Sequence, residues 1–333
     1  MIKALLEKQQ PIVYHALKSA CEDKRISSAY LFTGPYGTPK YEAAILLAQS
    51  ILCENENGLA CEECNTCRRV KEGKYSDLVV LDGKEETISK TMIDDLQEKF
   101  SKTALEKNGQ RVYIIRNAEN ATVSAQNSML KFLEEPGNGV TAILTTDNVN
   151  KMLSTIISRC TQIPFLPQSQ TSYYNQLKDH GVKEEDAYFM SYIVKDMNDL
   201  SLMYDTNEEK VTTQFEHCVG MLKQYLNLDG LRKDELSIDW EVNWSSKLKD
   251  ASSAKKENLV ILNAFYELVM MYCLDVIENR QQGYDWYKKA VCNGNIETCV
   301  KDLEIALQGK DACNKYNDLN LVFYQSLYRF GGK

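Results

Sequence analysis

Histidine and proline are scarce in this sequence. The 333 residues include 3 His and 6 Pro, and His15, His180 and His217 are isolated from one another along the chain. No Ser/His/Asp or Cys/His arrangement of a hydrolytic site emerges from them. We assign all three to surface or helix packing. The 44% hydrophobic and 26% charged residues are typical of an ordinary soluble globular protein.

A long uninterrupted apolar run is also missing. The longest apolar stretch, residues 261–277, is interrupted by Asn263, Glu267 and Asp275, which predicts a buried amphipathic helix and no membrane span. The first ten residues, MIKALLEKQQ, carry charges and no apolar core before a cleavage site, so we expect no secretory signal. Eleven Cys without such a signal indicate reduced thiols, some of them metal ligands, in the cytoplasm.

Positive charge is outweighed by negative charge. The chain has 39 Lys and Arg against 47 Asp and Glu, a formal net charge of −8. It therefore cannot present a uniformly basic face to nucleic acid, and any DNA contact must be local or borrowed from partners.

Four cysteines have the spacing of a metal site. Cys53, Cys61, Cys64 and Cys67 form C-x7-C-x2-C-x2-C. Four thiolates this close can bind one tetrahedral Zn²⁺ at about 2.3 Å, and a site filled by four sulfurs leaves no position for a catalytic water. We therefore predict structural zinc. The alternative, four unrelated buried thiols, fits poorly with a polar, loop-like segment.

The apolar pattern divides the chain near residue 165. An amphipathic helix begins at Pro11, and after it short, fully apolar strands alternate with helices, which predicts a parallel sheet covered on both faces. The predicted strands are residues 30–33, 78–81, 112–115 and 142–146, and the helices between them are 41–52, 91–102 and 124–135. Beyond Pro167 we predict helices at 169–180, 184–195, 207–227, 258–279, 296–307 and 319–330, with a second boundary near 207.

The segment after the first predicted strand looks like a phosphate-binding loop without its chemistry. Residues 34–41, GPYGTPKY, occupy the strand-to-helix context of G-x-x-x-x-G-K-[ST]. Gly34 and Lys40 match the motif, and Gly37 lies between them in the degenerate loop. Pro39 has no N–H to offer a phosphate, and the bulky Tyr41 cannot replace the hydroxyl that binds Mg²⁺. A different fold with a chance Gly-Pro turn is the competing interpretation.

A second strand end also lacks the residues of an ATPase. Residues 112–115 lead into Arg116 and Asn117, where a working ATPase places an acidic Mg²⁺ ligand and a catalytic Glu. Arg116 puts a positive charge at the cation position, and Asn117 cannot act as a base. We therefore expect no bound ATP.

In combination, these features resemble the AAA+ clamp-loader family, and within it the delta-prime type of subunit of bacterial DNA polymerase III. The matching segments are AYLFTGP at 29–35, the four-Cys insert, SAQNSMLKFLEEP at 124–136, TTDN at 145–148 and SRC at 158–160. The resemblance implies an AAA+, RecA-like P-loop module at 1–165 with a zinc insert at 53–67. A small helical lid at 166–207 and an all-α collar at 208–333 complete the implied fold. The lid segment 198–202 lacks the Arg that motor subunits use to sense nucleotide.

The resemblance also implies a function within a hetero-oligomer. Arg159 would project as a finger into the ATP site of a neighbouring motor subunit. The chain would be a non-ATPase partner of gamma/tau motors and of a delta subunit, and would act indirectly on the sliding clamp and primer-template DNA, with no membrane involved.

Three alternatives stay open on the sequence alone. Arg159 could cap a helix end or form a surface ion pair. The chain could be a divergent ATP-hydrolysing motor of gamma/tau type, for which Lys40 is the remaining chemical group. It could also be a zinc-organised nucleic-acid-binding module, although the net charge counts against that.

Overall fold

The chain divides into two compact units, Met1–Gln168 and Ser169–Lys333. A computed structural model describes all residues except 56–57, 103, 107–108, 198–199, 205–213, 228–231, 242–250, 316–317 and 332–333. The division falls close to the predicted boundary near 165.

The first unit is an α/β module built on a five-stranded parallel sheet. Its strand order is β2-β3-β4-β1-β5, and the predicted α/β class is confirmed. The strands are β1 (Ala29–Thr33), β2 (Leu78–Asp82), β3 (Arg111–Arg116), β4 (Val140–Thr146) and β5 (Thr161–Pro164). The helices are α1 (Ile2–Gln9), α2 (Pro11–Glu22), α3 (Lys40–Leu52), α4 (Asn65–Lys71), α5 (Lys90–Ser101), α6 (Val123–Glu134) and α7 (Ser154–Ile157).

Alternation along β1 explains why the strands are apolar throughout. Tyr30 and Phe32 belong to a core that also contains residues of α1, α2, α3 and α4. The intervening Leu31 belongs to a second core with residues of α5 and α6. Successive side chains of a strand point to opposite faces, so a sheet covered on both sides needs apolar residues at every position.

The sequence pattern did not predict β5. This strand pairs with β1 at the edge of the sheet, and its Thr161, Gln162 and Pro164 are exposed. An edge strand needs fewer apolar residues and tolerates proline, so it carried no strand signal. The predicted helix at Pro11 is confirmed as α2, with Pro at its first turn.

The second unit is all helical in the residues that the structure describes. One apolar core extends from Leu177 to Phe330. The helices are α8 (Gln170–Asp179), α9 (Glu184–Ile193), α10 (Leu200–Met203), α11 (Gln214–Leu226), α12 (Arg232–Trp240), α13 (Ala251–Glu278), α14 (Asp285–Asn293), α15 (Ile296–Lys315) and α16 (Leu319–Arg329). The boundary predicted near 207 lies outside the described residues, so the division into lid and collar stays a prediction.

The most apolar helix of this unit lies within the core. The segment Asn258–Glu278 of α13 is long and apolar enough to cross a membrane by length and composition, and 67% of the window that meets this criterion is buried inside the protein. Burial of this kind is what a core helix requires, as the sequence predicted. Only α13 meets the criterion among the residues that the structure describes.

Candidate functional site

The loop at residues 34–41 joins β1 to α3 at the carboxyl edge of the sheet. A side chain at Gly34 would place its Cβ 2.7 Å from the carbonyl oxygen of Phe165, and Gly37 has a φ of +82°. Both positions therefore require glycine. Pro39 directly precedes α3, so the loop lacks one of the N–H groups that a phosphate site uses at a helix N-terminus.

Lys40 is turned into its own loop. Its side chain is 5% exposed, and its Nζ donates to the carbonyl oxygens of Gly34 at 2.9 Å and Pro35 at 2.7 Å. The same Nζ lies 2.7 Å from Thr38 Oγ1 and 2.8 Å from Asp147 Oδ1. An ammonium group has three N–H donors, so these four partners saturate the retained lysine without any phosphate.

Asp147 is itself held by the residues that follow β3. Its Oδ2 accepts a hydrogen bond from Asn117 Nδ2 at 3.0 Å. Its backbone N–H donates to Glu119 Oε1 at 2.9 Å, and Asn117 Nδ2 also lies 3.3 Å from that oxygen. The ends of β1, β3 and β4 are thus joined by one polar network, which contains the predicted Lys40 and Asn117.

The two residues that most clearly depart from ATPase chemistry contact each other. The guanidinium of Arg116 lies over the ring of Tyr41, 4.6 Å from its centroid, and its Nη1 donates to Asp82 Oδ2 at 2.9 Å. Burial raises the pKa of Tyr41, while the charge of Arg116 lowers it. The phenol is therefore neutral near pH 7. Arg116, which is always positively charged, thus forms a cation–π contact with Tyr41 and an ion pair with Asp82.

Arg159 lies apart from this network, directly after α7. Its Nε donates to Glu134 Oε1 at 2.8 Å, and its Nη1 donates to the carbonyl oxygen of Thr155 at 2.8 Å. Its Nη2 also contacts Glu134 Oε1. The arginine side chain is 34% exposed. The structure thus places the predicted finger at the surface, in an ion pair with the last residue of α6.

The four predicted ligand cysteines lie together. Their Sγ atoms are all within 4.8 Å of one another. The Sγ of Cys53 is 3.7 Å from that of Cys61 and 3.9 Å from that of Cys64, and the Sγ atoms of Cys61 and Cys67 are 3.9 Å apart. Tetrahedral coordination with Zn–S bonds of about 2.3 Å separates sulfurs by about 3.8 Å. The four cysteines therefore have the geometry to bind one metal ion.

Backbone N–H groups around the cluster favour thiolates. The N–H of Cys64 lies 3.3 Å from Cys61 Sγ, and that of Cys67 lies 3.4 Å from Cys64 Sγ. Hydrogen bonds from the backbone N–H groups of Glu63 and Cys64 lower the pKa of Cys61 to about 6. A metal binds the deprotonated form of cysteine. The backbone hydrogen bonds therefore favour the form of Cys61 that can bind a metal.

The four-cysteine segment also holds the start of α1. Glu62, which has a φ of +63°, accepts hydrogen bonds from the backbone N–H groups of Ile2 at 2.6 Å and Lys3 at 3.3 Å. These N–H groups have no partner inside the helix, and a carboxylate there is favoured by the helix dipole. The sequence gave no signal for this contact, because 60 positions separate the two residues.

Three acidic residues of the site were not assigned a role from the sequence. Glu134 and Asp147 lie within motifs that carried the family resemblance, and Asp82 directly follows a predicted strand. Their partners Arg159, Lys40 and Arg116 were all singled out. An unusual or isolated cation near a strand end indicates that a carboxylate lies nearby, but it does not show which one.

Comparisons with known proteins find similarity over the first unit. Residues 9–169 match the family model described as DNA polymerase III, delta subunit. Subunit delta′ of DNA polymerase III from Bacillus subtilis is 40% identical over 182 residues, 55% of this chain and 55% of that protein. Residues 9–169 are therefore similar to the DNA polymerase III delta-subunit family. The family resemblance drawn from the sequence is confirmed over this region.

Similarity to other DNA polymerase III subunits is weaker or shorter. Subunit tau of Bacillus subtilis is 34% identical over 162 residues, 47% of this chain and 28% of that protein. The chain thus spans about half of the delta′ relative and less of tau. A solved gamma-subunit-related protein from Thermotoga maritima covers 94% of this chain and 97% of its own at 16% identity. Its TM-score of 0.46 is too low to support any argument.

Proposed function

We propose that this chain is a delta-prime-type subunit of a DNA polymerase III clamp loader that does not hydrolyse ATP itself. In this proposal it supports the ATP-driven loading of the sliding clamp on primed DNA. Its partners are motor subunits of gamma/tau type and a delta subunit, in a cytoplasmic hetero-oligomer. The family match of residues 9–169 and the 40% identity to a delta′ subunit support this assignment.

The contact between Arg116 and Tyr41 is the observation that carries the proposal. In a working site, a hydroxyl and a carboxylate at these positions bind Mg²⁺. Here a guanidinium lies 4.6 Å from the tyrosine ring, and a fixed positive charge repels a divalent cation. Lys40 is bound by its own loop and by Asp147, so a phosphate would have to displace four contacts.

A divergent ATP-hydrolysing motor is the competing function. The 34% identity to tau and the retained Lys40 favour it. That reading requires micromolar affinity for Mg-ATP, against the charge of Arg116 and the missing N–H of Pro39. We favour the non-ATPase subunit because Pro39 and Arg116 both occupy positions at which a working ATPase binds the nucleotide or its Mg²⁺.

We further propose that Arg159 acts in trans on the ATP site of a neighbouring motor subunit. A planar guanidinium beside the γ-phosphate stabilises charge that builds in the transition state, an effect that reaches about 10³-fold in rate. The partly exposed position of Arg159 after α7 supports this role, since a buried arginine could not reach a neighbour.

The test is ATP hydrolysis by a clamp loader reconstituted with the other subunits of the same organism. Arg159→Ala should leave the fold of the chain intact and lower DNA-stimulated ATP hydrolysis at least about tenfold. Arg68→Ala, which removes an exposed arginine bonded to the Glu63 carbonyl oxygen, should leave the rate unchanged. An unaltered rate with Arg159→Ala would remove the finger role.

The four-cysteine cluster is proposed to hold Zn²⁺ in a structural role. Four sulfur ligands at tetrahedral spacing are typical of zinc, and no coordination position remains for water or substrate. The metal would fix the segment before α4 and, through Glu62, the start of α1. Metal analysis of the purified chain should give one zinc ion per molecule.

Assembly through residues 208–333 is part of the same proposal. The helices α15 and α16 expose apolar side chains at helical spacing, namely Ile296, Val300, Leu307, Leu321 and Tyr328, each more than half exposed. Exposed apolar stripes of this kind are typical of helices that pack against another subunit. They support a collar that joins this chain to its neighbours.

A further inference from the structure

The contact between Glu134 and Arg159 gives Glu134 a role that the sequence did not assign. Glu134 is the last residue of α6, and Arg159 follows α7. A carboxylate at a helix C-terminus faces the negative end of the helix dipole. Its position there is unfavourable unless a cation lies beside it, and Arg159 supplies that cation.

The hydrogen bonds of Arg159 leave part of its guanidinium without a partner among the described residues. Nε and Nη2 both contact Glu134 Oε1, and Nη1 donates to the carbonyl oxygen of Thr155. These contacts use three of the five N–H groups of an arginine. One N–H on Nη1 and one on Nη2 have no partner among the described residues. A pair of this kind can bind two phosphate oxygens at once.

We propose that Glu134 is the positioning residue of the Arg159 finger. It holds the Nε edge of the guanidinium and so presents the Nη1 and Nη2 edge to an anionic group of a neighbouring subunit. This inference rests on the proposed finger role of Arg159. Because the geometry is fixed before the subunits meet, the finger does not lose side-chain freedom when the transition state forms.

Glu135 provides a matched control for Glu134. It is adjacent, carries the same charge and is exposed, and no side-chain contact is described for it. Replacing either residue changes the net charge by one unit. A general effect of charge or of the α6 C-terminus would therefore appear with both variants, whereas positioning of Arg159 requires Glu134 alone.

The experiment measures kcat and KM for DNA-stimulated ATP hydrolysis in the reconstituted clamp loader. Glu134→Ala should lower kcat at least about tenfold with KM for ATP unchanged, because a finger acts in the transition state. Glu134→Gln, which keeps an oxygen acceptor, should lie between Glu134→Ala and the unaltered protein. Glu135→Ala and Glu135→Gln should behave like the unaltered protein.

The double variant separates positioning from a merely structural role. If Glu134 acts through Arg159, Glu134→Ala combined with Arg159→Ala should be no slower than Arg159→Ala alone. Additive losses, equal losses with Glu135→Ala, or a normal kcat with Glu134→Ala and Glu134→Gln would each overturn the inference while Arg159→Ala remains defective. A normal rate with Arg159→Ala would instead overturn the finger itself.

Discussion

At the residue scale, the structure shows that substituted positions form contacts with each other. Tyr41 and Arg116 were each read from the sequence as a loss of ATPase chemistry. In the structure they form a cation–π contact, and Asp82 forms an ion pair with the arginine. These two residues therefore pack against each other and should contribute to stability.

Arg116→Ala tests that contribution. The arginine and Asp82 side chains are 23% and 20% exposed, so their interactions are partly shielded from water. Loss of a cation–π contact and a charge-assisted hydrogen bond should lower the free energy of unfolding by about 1–2 kcal/mol. Denaturant unfolding measures this change.

Lys18→Ala is the control for that measurement. Lys18 forms a 3.9 Å ion pair with Glu22, and both side chains are about half exposed. Its loss should change the free energy of unfolding by less than about 0.5 kcal/mol. Equal effects of the two variants would mean that the Arg116 contacts add nothing beyond a surface ion pair.

At the element scale, the sequence predicted strands β1 to β4, including the edge strand β2, and the long helices, but not the edge strand β5 or the short helix α4. The fully apolar strands β1 and β4 gave clear signals because both faces of the sheet are covered. The edge strand β5, with Thr161, Gln162 and Pro164 exposed, did not, and α4 was hidden within the cysteine segment. A strand prediction depends on an apolar run, which β5 lacks, whereas α4 buries Cys67 and Val70 but is too short to show a helical period.

Loss of one cysteine from the four-cysteine segment should remove the proposed zinc ion and destabilise the first unit. Cys64→Ser removes one of the four proposed ligands, while the serine hydroxyl can still accept the N-cap hydrogen bond of α4. We expect zinc content to fall from one ion to none per chain. The thermal midpoint of unfolding of the first unit should fall by at least about 5 °C, corresponding to about 2 kcal/mol.

An exposed cysteine supplies the matched control. Cys292 lies outside the cluster and is exposed, so Cys292→Ser should keep one zinc ion and an unchanged midpoint. Metal analysis and calorimetry on the same samples provide both readouts. Full zinc retention by Cys64→Ser would show that this residue is not a ligand.

The helices α9, α13 and α14 meet at a buried acid that makes stability depend on pH. Asp275 is fully buried, and its Oδ2 accepts hydrogen bonds from the hydroxyls of Tyr188 at 2.6 Å and Tyr287 at 2.7 Å. Arg280 Nε lies 3.2 Å from Oδ1. Burial raises the pKa of Asp275, and the tyrosine hydrogen bonds and Arg280 offset this only in part.

The sign of the pH dependence follows from the raised pKa. The folded state holds the Asp275 proton more tightly than the unfolded state, whose pKa is about 3.9. Stability from this group is therefore present below that pH and is lost as pH rises through the folded pKa. We expect the free energy of unfolding, relative to Asp275→Asn, to decrease from about pH 4 upward.

Denaturant titrations at a series of pH values test this expectation. Asp285→Asn, at a side chain that is 91% exposed, should leave in place the decrease in stability with pH that is attributed to Asp275. A relative stability of the Asp275 protein that rises with pH would contradict a raised pKa.

At the scale of the whole molecule, the sequence predicted more of the chemistry than of its geometry. The cysteine spacing predicted a cluster that the structure brings within metal-binding distance, and the loop at 34–41 predicted a degenerate phosphate site. The carboxylates that pair with the predicted cations lie far from them along the chain, as Asp147 does from Lys40. Pairing of this kind depends on the strand order of the sheet, which no local pattern contains.

The central claim is that this chain acts through its partners and not through its own nucleotide site. Isothermal titration calorimetry of the purified, zinc-loaded protein with Mg-ATP tests it most directly. We predict no binding up to millimolar nucleotide, because Lys40 is saturated within its loop and Arg116 repels the metal ion. Binding at micromolar nucleotide would contradict the account and identify the chain as a motor subunit.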